Sequence, residues 1–566
     1  MNNLKLEISQ LIVSKLSASE LSAESLVDFF DTPPNPEMGD LALACFKLSK
    51  VLRKSPIAIA EELASLLKEE AIPAVSKIEN AGGYLNFFLS DSYRVSTLSD
   101  MLEKGTDYGK NEIGKGKTMV IDYSSPNIAK RFHIGHLGTT IIGNSIKLIH
   151  QFSGFKTVGI NYLGDWGTQY GKLVVSFKKW GNEDKIREIG IEELNRLYVL
   201  FGTESEKDPS LNDEARKEFA ALEAGDEENL RLWRLFKEIS LKEYMKTYEL
   251  LGVSFDSFNG ESFYSDKMPA VVEELKEKNL LKLDDGASLV DLEKFNMPPC
   301  LILKRDGSSL YPTRDIAAAL WRKKEYSFDK CVYVTSAGQS LHFAQWFKVV
   351  GLMGYDWEDQ LVHVPYGTFS INGEKIASRT GNVVLLDDLF AEAIEKAGAI
   401  IEEKNPGLAN KEEIARDVGV GAVILSSLSA NRIKDVNFNW SEALNFDGNT
   451  GPYAQYTYAR ACSILSKAQE FSCPESANLC FEEKELISTL ALFPEKIVRA
   501  LNEYEPSIIT RFALELCQSF NRFYNACPIH NSIGDEKMLR LSLCQAVKNV
   551  LGTALHLIGL RTPEKI

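Results

Sequence analysis

The sequence predicts a multidomain protein of α/β and all-α parts: a Rossmann-type parallel-sheet core, preceded by an α+β N-terminal domain and followed by an all-helical C-terminal domain. Three observations carry that prediction. The chain has 566 residues, room for three or four domains at about 150 residues each. Two stretches alternate β-rich runs with helical segments, as parallel βαβ units do. Beyond about residue 385 the apolar spacing is helical almost throughout. The expected domains are 1–110, 111–385 and 386–566, with a charged helical insertion at about 183–250.

In chain order, Asp40 reads as the N-cap of a helix in which Leu41, Cys45, Leu48 and Leu52 recur at helical spacing. Ser55-Pro56 reads as the cap and first-turn proline of a second helix, running to about Glu70. AGGYLNFFLS (81–90) reads as a strand. TMVIDYSS (118–125) is a strand, 136–153 a helix ended by Gly154, and KTVGINYL (156–163) the next strand. A crossover of this length makes the two strands parallel and the connection right-handed. CVYVT (331–335), a helix near 341–353 and LVHVPYG (361–367) form the second unit.

Composition sets the outer limits. Hydrophobic residues make up 44% and charged residues 25%, which excludes a wholly disordered chain. Lys and Arg number 64 against 79 Asp and Glu, a net charge of −15. That argues against coating nucleic acid by bulk charge and leaves a local basic surface open. No run of about 18 apolar residues suggests a membrane span. The mixed-charge N-terminus resembles neither a signal nor a transit peptide, so a cytoplasmic location is expected. Nine cysteines without a C-x-x-C pair read as reduced core thiols, not as a disulfide framework or structural metal site.

The loop after the first core strand reads SSPNIAKRFHIGHLG (124–138) and holds two of the seven histidines, His133 and His136. Three positions apart at a helix start, they share a face and can reach the crevice beyond the strand's carboxyl end. Gly135 between them lets a flat ring approach the backbone. The helix N-terminus offers unpaired N–H groups to phosphate, and Lys130 adds a full charge on the approach. The set suits a nucleoside triphosphate. Taken alone, the turn also fits two histidines that only pack a loop, or a small nucleotidyltransferase.

With NYLGDWGTQYGKL (161–173), GESFYSDK (260–267), LYPTRDIAAAL (310–320), GEKIASRTGNVV (373–384) and FDGNTGPYAQYTYAR (446–460), this loop resembles the arginyl-tRNA synthetases, a class I aminoacyl-tRNA synthetase family. The likeness runs from Gly39-Asp40 to the closing LIGLRTPEKI. It implies an arginine–tRNA ligase: ATP and arginine give arginyl-adenylate and pyrophosphate, and the 2′-hydroxyl of the terminal adenosine of tRNA(Arg) takes the arginyl group, releasing AMP. It implies that His133, Gly135 and His136 bind ATP and stabilise the α-phosphate. The physical demand agrees, because carboxylate attack on that phosphate builds negative charge that preorganised donors offset. Mg²⁺ is expected with ATP, without a dedicated protein cage. The second class I signature, Lys-Met-Ser-Lys-Ser, is reduced to Lys375-Ile376-Ala377-Ser378-Arg379. Lys375 and Arg379 are then ATP-binding, and Lys130 is implied to replace the missing second lysine. On its own GEKIASRTGN would read as a solvated hairpin turn. Arg131 and Gly138 also depart from the family pattern, which implies altered ATP affinity rather than lost activity. Members often need bound tRNA before activating arginine, and the same is expected here.

A guanidinium is planar and always charged, so selecting it takes carboxylates placed for paired hydrogen bonds. TRDIAAALWRKK (313–324) reads as a helix capped by Thr313, with Tyr311 four positions before Asp315. By the resemblance, Tyr311 and Asp315 line the arginine pocket, Glu261 is its second acid, and Asn127 and Gln339 hold the amino-acid end. In isolation Asp315 would read as first-turn charge complementing the helix dipole. Asp165 and Gln169 are weaker candidates for the pocket floor, with Trp166 either beside them or in the core.

For RNA, residues 1–110 carry 11 Lys and Arg against 16 Asp and Glu. Lys47, Lys50, Arg53 and Lys54 nevertheless fall within about 120° on a helical wheel, either a phosphate-contacting stripe or an ordinary solvated face. The resemblance implies that the N-terminal domain contacts the tRNA elbow and the C-terminal domain the anticodon. Tyr453, Tyr456 and Arg460, in GPYAQYTYARACSIL (451–465), are candidates to stack on bases. Some of these tyrosines are expected to serve only helix packing. A monomer is expected. The competing readings are another adenylate-forming enzyme and a non-catalytic tRNA-binding relative.

Overall fold

The computed structural model describes residues 2–566 except 17–20, 34, 69, 306, 372–373, 376–383 and 447. After the helix Asn2–Lys15 comes an antiparallel sheet of β1 (Phe30–Asp31), β2 (Leu41–Ala44), β3 (Val75–Ala81) and β4 (Tyr84–Leu89), in the order β1-β2-β4-β3. The helix expected after Asp40 does not form. Leu41–Ala44 is an inner strand with every residue buried, followed by a 3-10 turn at Cys45–Leu48 and a four-residue helix at Ser49–Leu52. A short run that is apolar at every position suits a buried strand as well as a helix. Here β1 and β4 flank it and complete its hydrogen bonds. Asp40 caps no helix: its carboxylate accepts from Leu89 N at 2.8 Å and pairs with Arg94. The helix Pro56–Lys68 forms as the sequence predicts, with Ser55 Oγ accepting Ala58 N–H at 3.2 Å.

The core sheet contains β5 (Thr118–Asp122) and β6 (Lys156–Ile160), joined by the helix Gly135–Phe152. A small antiparallel sheet follows, β7 (Leu281–Asp284), β8 (Ala287–Val290) and β9 (Cys300–Leu303). The core sheet is completed by β10 (Lys330–Ser336) and β11 (Leu361–Tyr366), giving the order β11-β10-β5-β6 with all neighbours parallel. The connections from β5 and from β10 run to opposite sides, so a crevice opens between them at the strands' carboxyl ends. The expected insertion is four helices: Glu183–Ile189, Ile191–Lys207, Ser210–Glu223 and Glu227–Leu251.

Beyond residue 385 the described residues are mainly helical, with one strand among them that the sequence did not announce. β12 (Phe369–Ile371) pairs with β13 (Glu374–Lys375), and β14 (Val436–Phe438) returns to lie parallel to β12. The first and last thirds of the chain also meet directly. Arg94, on the helix Asp91–Lys104 and only 5% exposed, pairs with Asp40 and donates to Ser488 Oγ and to Lys484 O. Asp91 pairs with Lys484 at 2.9 Å and accepts Leu479 N–H at 3.1 Å.

Removing one partner of a largely buried ion pair costs about 3 kcal/mol. Arg94→Ala should therefore lower the urea midpoint clearly. Lys54→Ala, which loses only an exposed pair with Glu62, should shift stability by less than about 1 kcal/mol.

Candidate active site

The segment after β5 is held in a conformation that side chains rarely adopt. Ser124, Ser125 and Ala129 have φ of 69°, 49° and 61°, each costing on the order of 1 kcal/mol or more. Neighbours impose it. The Tyr244 hydroxyl lies 2.7 Å from Asn127 O and 2.6 Å from Lys130 O, and Ala129 N donates to Ser240 Oγ at 2.8 Å. Tyr248 OH is 2.8 Å from Ser124 Oγ. All three braces come from the helix Glu227–Leu251. Gly164 supports the segment from the other side, its N–H donating to Pro126 O at 3.0 Å. A Cβ there would fall 1.9 Å from Asn127 Oδ1, so any other residue would push the Asn127 amide from its place.

This bracing presents the two histidines at the start of the helix Gly135–Phe152. Their ring centroids are 4.0 Å apart. His133 Nδ1 accepts Gly135 N–H at 3.1 Å and His136 Nδ1 accepts His133 N–H at 3.2 Å. With both Nδ1 atoms accepting, each neutral ring keeps its proton on Nε2 and offers a donor there. Burial, then the neighbouring His133, pushes His136 down to about 3. His133 is also lowered, by burial and then by Lys130. Phe132 stacks on His136 at 4.9 Å.

A cavity of about 460 Å³ spans the crevice. It is lined at one end by Ser124, Gly135, His136 and Thr139, and elsewhere by Asn127, Tyr162, Glu261, Tyr311, Asp315, Gln339 and His342. Seven of the sequence candidates thus share one cavity: Asn127, Gly135, His136, Glu261, Tyr311, Asp315 and Gln339. Lys130 stands off its wall, with Nζ 5.5 Å from the Tyr198 ring centroid. Nothing is described of the Lys375 side chain, and Arg379 lies outside the described residues. Gly138 backs onto Phe369, whose ring a Cβ would meet at 2.3 Å. Arg131 faces Glu192 at 3.6 Å.

Thr313 is not a cap. The helix runs Tyr311–Tyr326 with Pro312 in its first turn, and Thr313 Oγ1 donates to Ile302 O at 2.7 Å. Both pocket acids already have partners that the sequence did not disclose. Glu261 pairs with Arg314 at 2.9 Å, and Asp315 bonds His342 Nε2 at 2.6 Å. Burial raises Glu261 to about 7; Arg314 opposes the rise, while Asp315 and Asp165 add to it. His342 follows Gln339 by three positions at a helix start, the one signal that could have placed it. Asp165 is no pocket floor: wholly buried, it pairs with Lys237 at 2.7 Å and accepts Ser262 N–H at 2.8 Å. Trp166 packs edge-on against Phe219 and Trp233, so it belongs to the core.

The stripe of cations in the N-terminal region does not lie on one helix. Lys47 sits on the 3-10 turn and donates to Asp28 O at 3.0 Å, Lys50 is on the four-residue helix, and Arg53 ends it at φ 53°. Lys54 pairs with Glu62. On the helix Gly451–Leu465, Tyr453 OH accepts from Asn521 at 2.9 Å, whereas Tyr456 is 41% exposed. The Arg460 guanidinium lies 5.1 Å from the Tyr456 ring and 5.0 Å from the Tyr524 ring.

Comparison with known proteins gives three successive family matches: "Arginyl tRNA synthetase N terminal domain" over residues 4–89, "tRNA synthetases class I (R), catalytic domain" over 97–440, and "DALR anticodon binding domain" over 454–566. The arginine–tRNA ligase of Alkaliphilus metalliredigens is 48% identical over 571 aligned residues, covering both chains completely. That of Clostridium beijerinckii is 48% identical over 99% of this chain and 100% of its own. Among solved structures, Thermus thermophilus arginyl-tRNA synthetase superposes with a TM-score of 0.84 at 26% identity, over 100% of this chain and 99% of its own.

Because His136 has a folded value below the ordinary 6.5, its stabilising contribution is present above about pH 6.5 and is lost as pH falls toward 3. The stability of His136→Gln should fall less than that of the wild type between pH 6.5 and 4. The His136 ring resonances should not titrate between pH 8 and 5.

Proposed function

The chain belongs to the arginyl-tRNA synthetases and ligates arginine to tRNA with ATP, and from that premise we propose that the cavity between β5 and β10 both forms arginyl-adenylate and passes the arginyl group to the 2′-hydroxyl of the terminal tRNA adenosine. The observation that carries this reading is one cavity joining the Gly135–His136 turn to the acids Glu261 and Asp315. His133, Gly135 and His136 take the ATP end, where Nε2–H donors and the helix N-terminus meet charge building on the α-phosphate. Lys130, Lys375 and Arg379 supply cations to the leaving pyrophosphate. Asn127, Tyr311 and Gln339 hold and orient the amino acid. Mg²⁺ would be brought by the triphosphate. Ser124, Thr139 and His136 line that end without a carboxylate, and Asp122 is committed to Arg322, so the ion would be held mainly by phosphate oxygens.

The substrate guanidinium competes for acids that Arg314 and His342 already contact. A neutral analogue brings no charge with which to replace those contacts, which supports rejection of citrulline without an editing site. The Tyr456–Arg460–Tyr524 stack is a platform for unpaired anticodon bases, with Tyr453 holding it from behind. Lys47, Lys50, Arg53 and Lys54 form the tRNA-facing side of region 1–110 as a bent surface. Regions 111–385 and 386–566 serve catalysis and anticodon binding. The enzyme works as a cytoplasmic monomer; no described helix is long and apolar enough to cross a membrane. The intact histidine turn argues against a non-catalytic relative.

Charging of purified tRNA with labelled arginine, against lysine and citrulline controls, tests the reading; label transfer from citrulline would overturn the pocket assignment. Glu261→Gln should raise the KM for arginine about 10- to 100-fold. In the wild type that KM should fall as pH rises through about 7, where Glu261 ionises. With tRNA present, Lys130→Ala should slow arginine-dependent ATP–pyrophosphate exchange about tenfold or more. An unchanged rate would remove Lys130 from the reaction.

A further inference from the structure

Two of the nine cysteines, separated by 46 residues, meet in the C-terminal region. Cys480 Sγ and Cys527 Sγ lie 3.4 Å apart, and a Glu482 carboxylate oxygen lies within 4.8 Å of both. The sulfurs occupy unlike places. Cys480 is half-buried at the N-cap of the helix Phe481–Ala491, where its sulfur takes the Glu483 main-chain N–H. Glu483 in turn accepts Cys480 N–H at 3.0 Å and is held by Arg540 at 2.9 Å. The helix's positive end and the Glu483 N–H partly offset the cost that burial places on a thiolate at Cys480, whose sulfur lies within reach of solvent. Cys527, 2% exposed, ends the helix Ser507–Ala526 behind it. Burial raises both thiols, Cys527 to about 12, and the Glu483 N–H offsets only part of the rise at Cys480.

We propose that Cys480 and Cys527 form a reversible thiol–disulfide pair, a modification site that a hydroperoxide oxidises. The Cys480 thiolate attacks the peroxide oxygen and takes up OH. The O–O bond breaks, and the departing hydroxide is protonated to water. Cys527 then gives its proton toward Glu482, and its sulfur displaces water from the Cys480 sulfenic acid. Two thiols and one hydrogen peroxide yield one disulfide and two waters. A tetrahedral zinc site would hold two thiolate sulfurs about 3.8 Å apart and would want further ligands. The shorter approach and the single carboxylate favour sulfur–sulfur bonding. The disulfide would join the start of one helix to the end of another, beside Leu479, Lys484 and Ser488, which hold Asp91 and Arg94.

The test treats the reduced full-length protein with hydrogen peroxide and maps its peptides without reduction. The expected result is a Cys480–Cys527 linked peptide, two thiols fewer per chain, and a Tm higher by about 5 °C, all reversed by a dithiol. Cys527→Ser should stop at a dimedone-trapped sulfenic acid on Cys480. Cys480→Ser, in which serine still caps the helix, should leave Cys527 reduced. Both variants should charge tRNA at the wild-type rate when reduced. The proposal fails if both cysteines remain alkylatable while other thiols oxidise. It fails also if Cys527 oxidises first, or if stoichiometric zinc co-purifies and blocks oxidation.

Discussion

Beneath the cavity lies a buried ion pair on which its two walls depend. Asp122 closes β5, and Arg322 projects from the helix Tyr311–Tyr326; they meet at 2.8 Å with side chains 7% and 1% exposed. The rings of Tyr162, Tyr264 and Tyr333 surround the guanidinium at 5.1, 5.9 and 5.5 Å. Asp122 also accepts from Ser125 Oγ at 2.9 Å, and Ser125 Oγ accepts Tyr162 N–H at 3.0 Å. One carboxylate therefore fixes the strained segment that leads to the histidines and the helix that carries Asp315. A hydrophobic pair could fill the volume but could not set those directions.

The helical insertion belongs to the same scheme. Its last helix supplies Ser240, Tyr244 and Tyr248 to the segment after β5, and its Lys237 neutralises buried Asp165. Asp165 accepts the N–H of Ser262, next to Glu261. A stretch that reads as surface charge is thus the buttress for both ends of the cavity. Two of the three left-handed residues, Ser124 and Ala129, are held by hydrogen bonds from a helix more than a hundred residues later.

What was legible in the sequence was local. Alternating β and helical runs announced the parallel units, because each strand and helix carries its own periodicity. The histidine turn was legible because strand end, glycine and helix start are contiguous. Leu41–Ala44 was misread because a four-residue apolar run has no period, and only β1 and β4 decide its fate. Arg314 against Glu261 and His342 against Asp315 join residues 53 and 27 positions apart, so spacing gave no hint of either. The Lys47–Lys54 wheel failed for the reason Leu41–Ala44 did: the helix it assumed is a strand, a tight turn and a single helical turn.

The contact of Arg94 with Asp40, Lys484 and Ser488 has a bearing on how the protein is made. A ribosome delivers Asp40 and Arg94 long before Lys484, so the early domain must wait through some four hundred residues of synthesis with one side uncovered. Thr106 O, which accepts from Thr553 Oγ1 at 3.1 Å, and Ser145 Oγ, which donates to Leu557 O at 2.8 Å, wait longer still. Folding that proceeds from the N-terminus can build each region in turn, yet it is sealed only when the final helix emerges. A polypeptide released early would lack its clasp, and the exposed seam would mark it as unfinished to whatever surveys nascent chains.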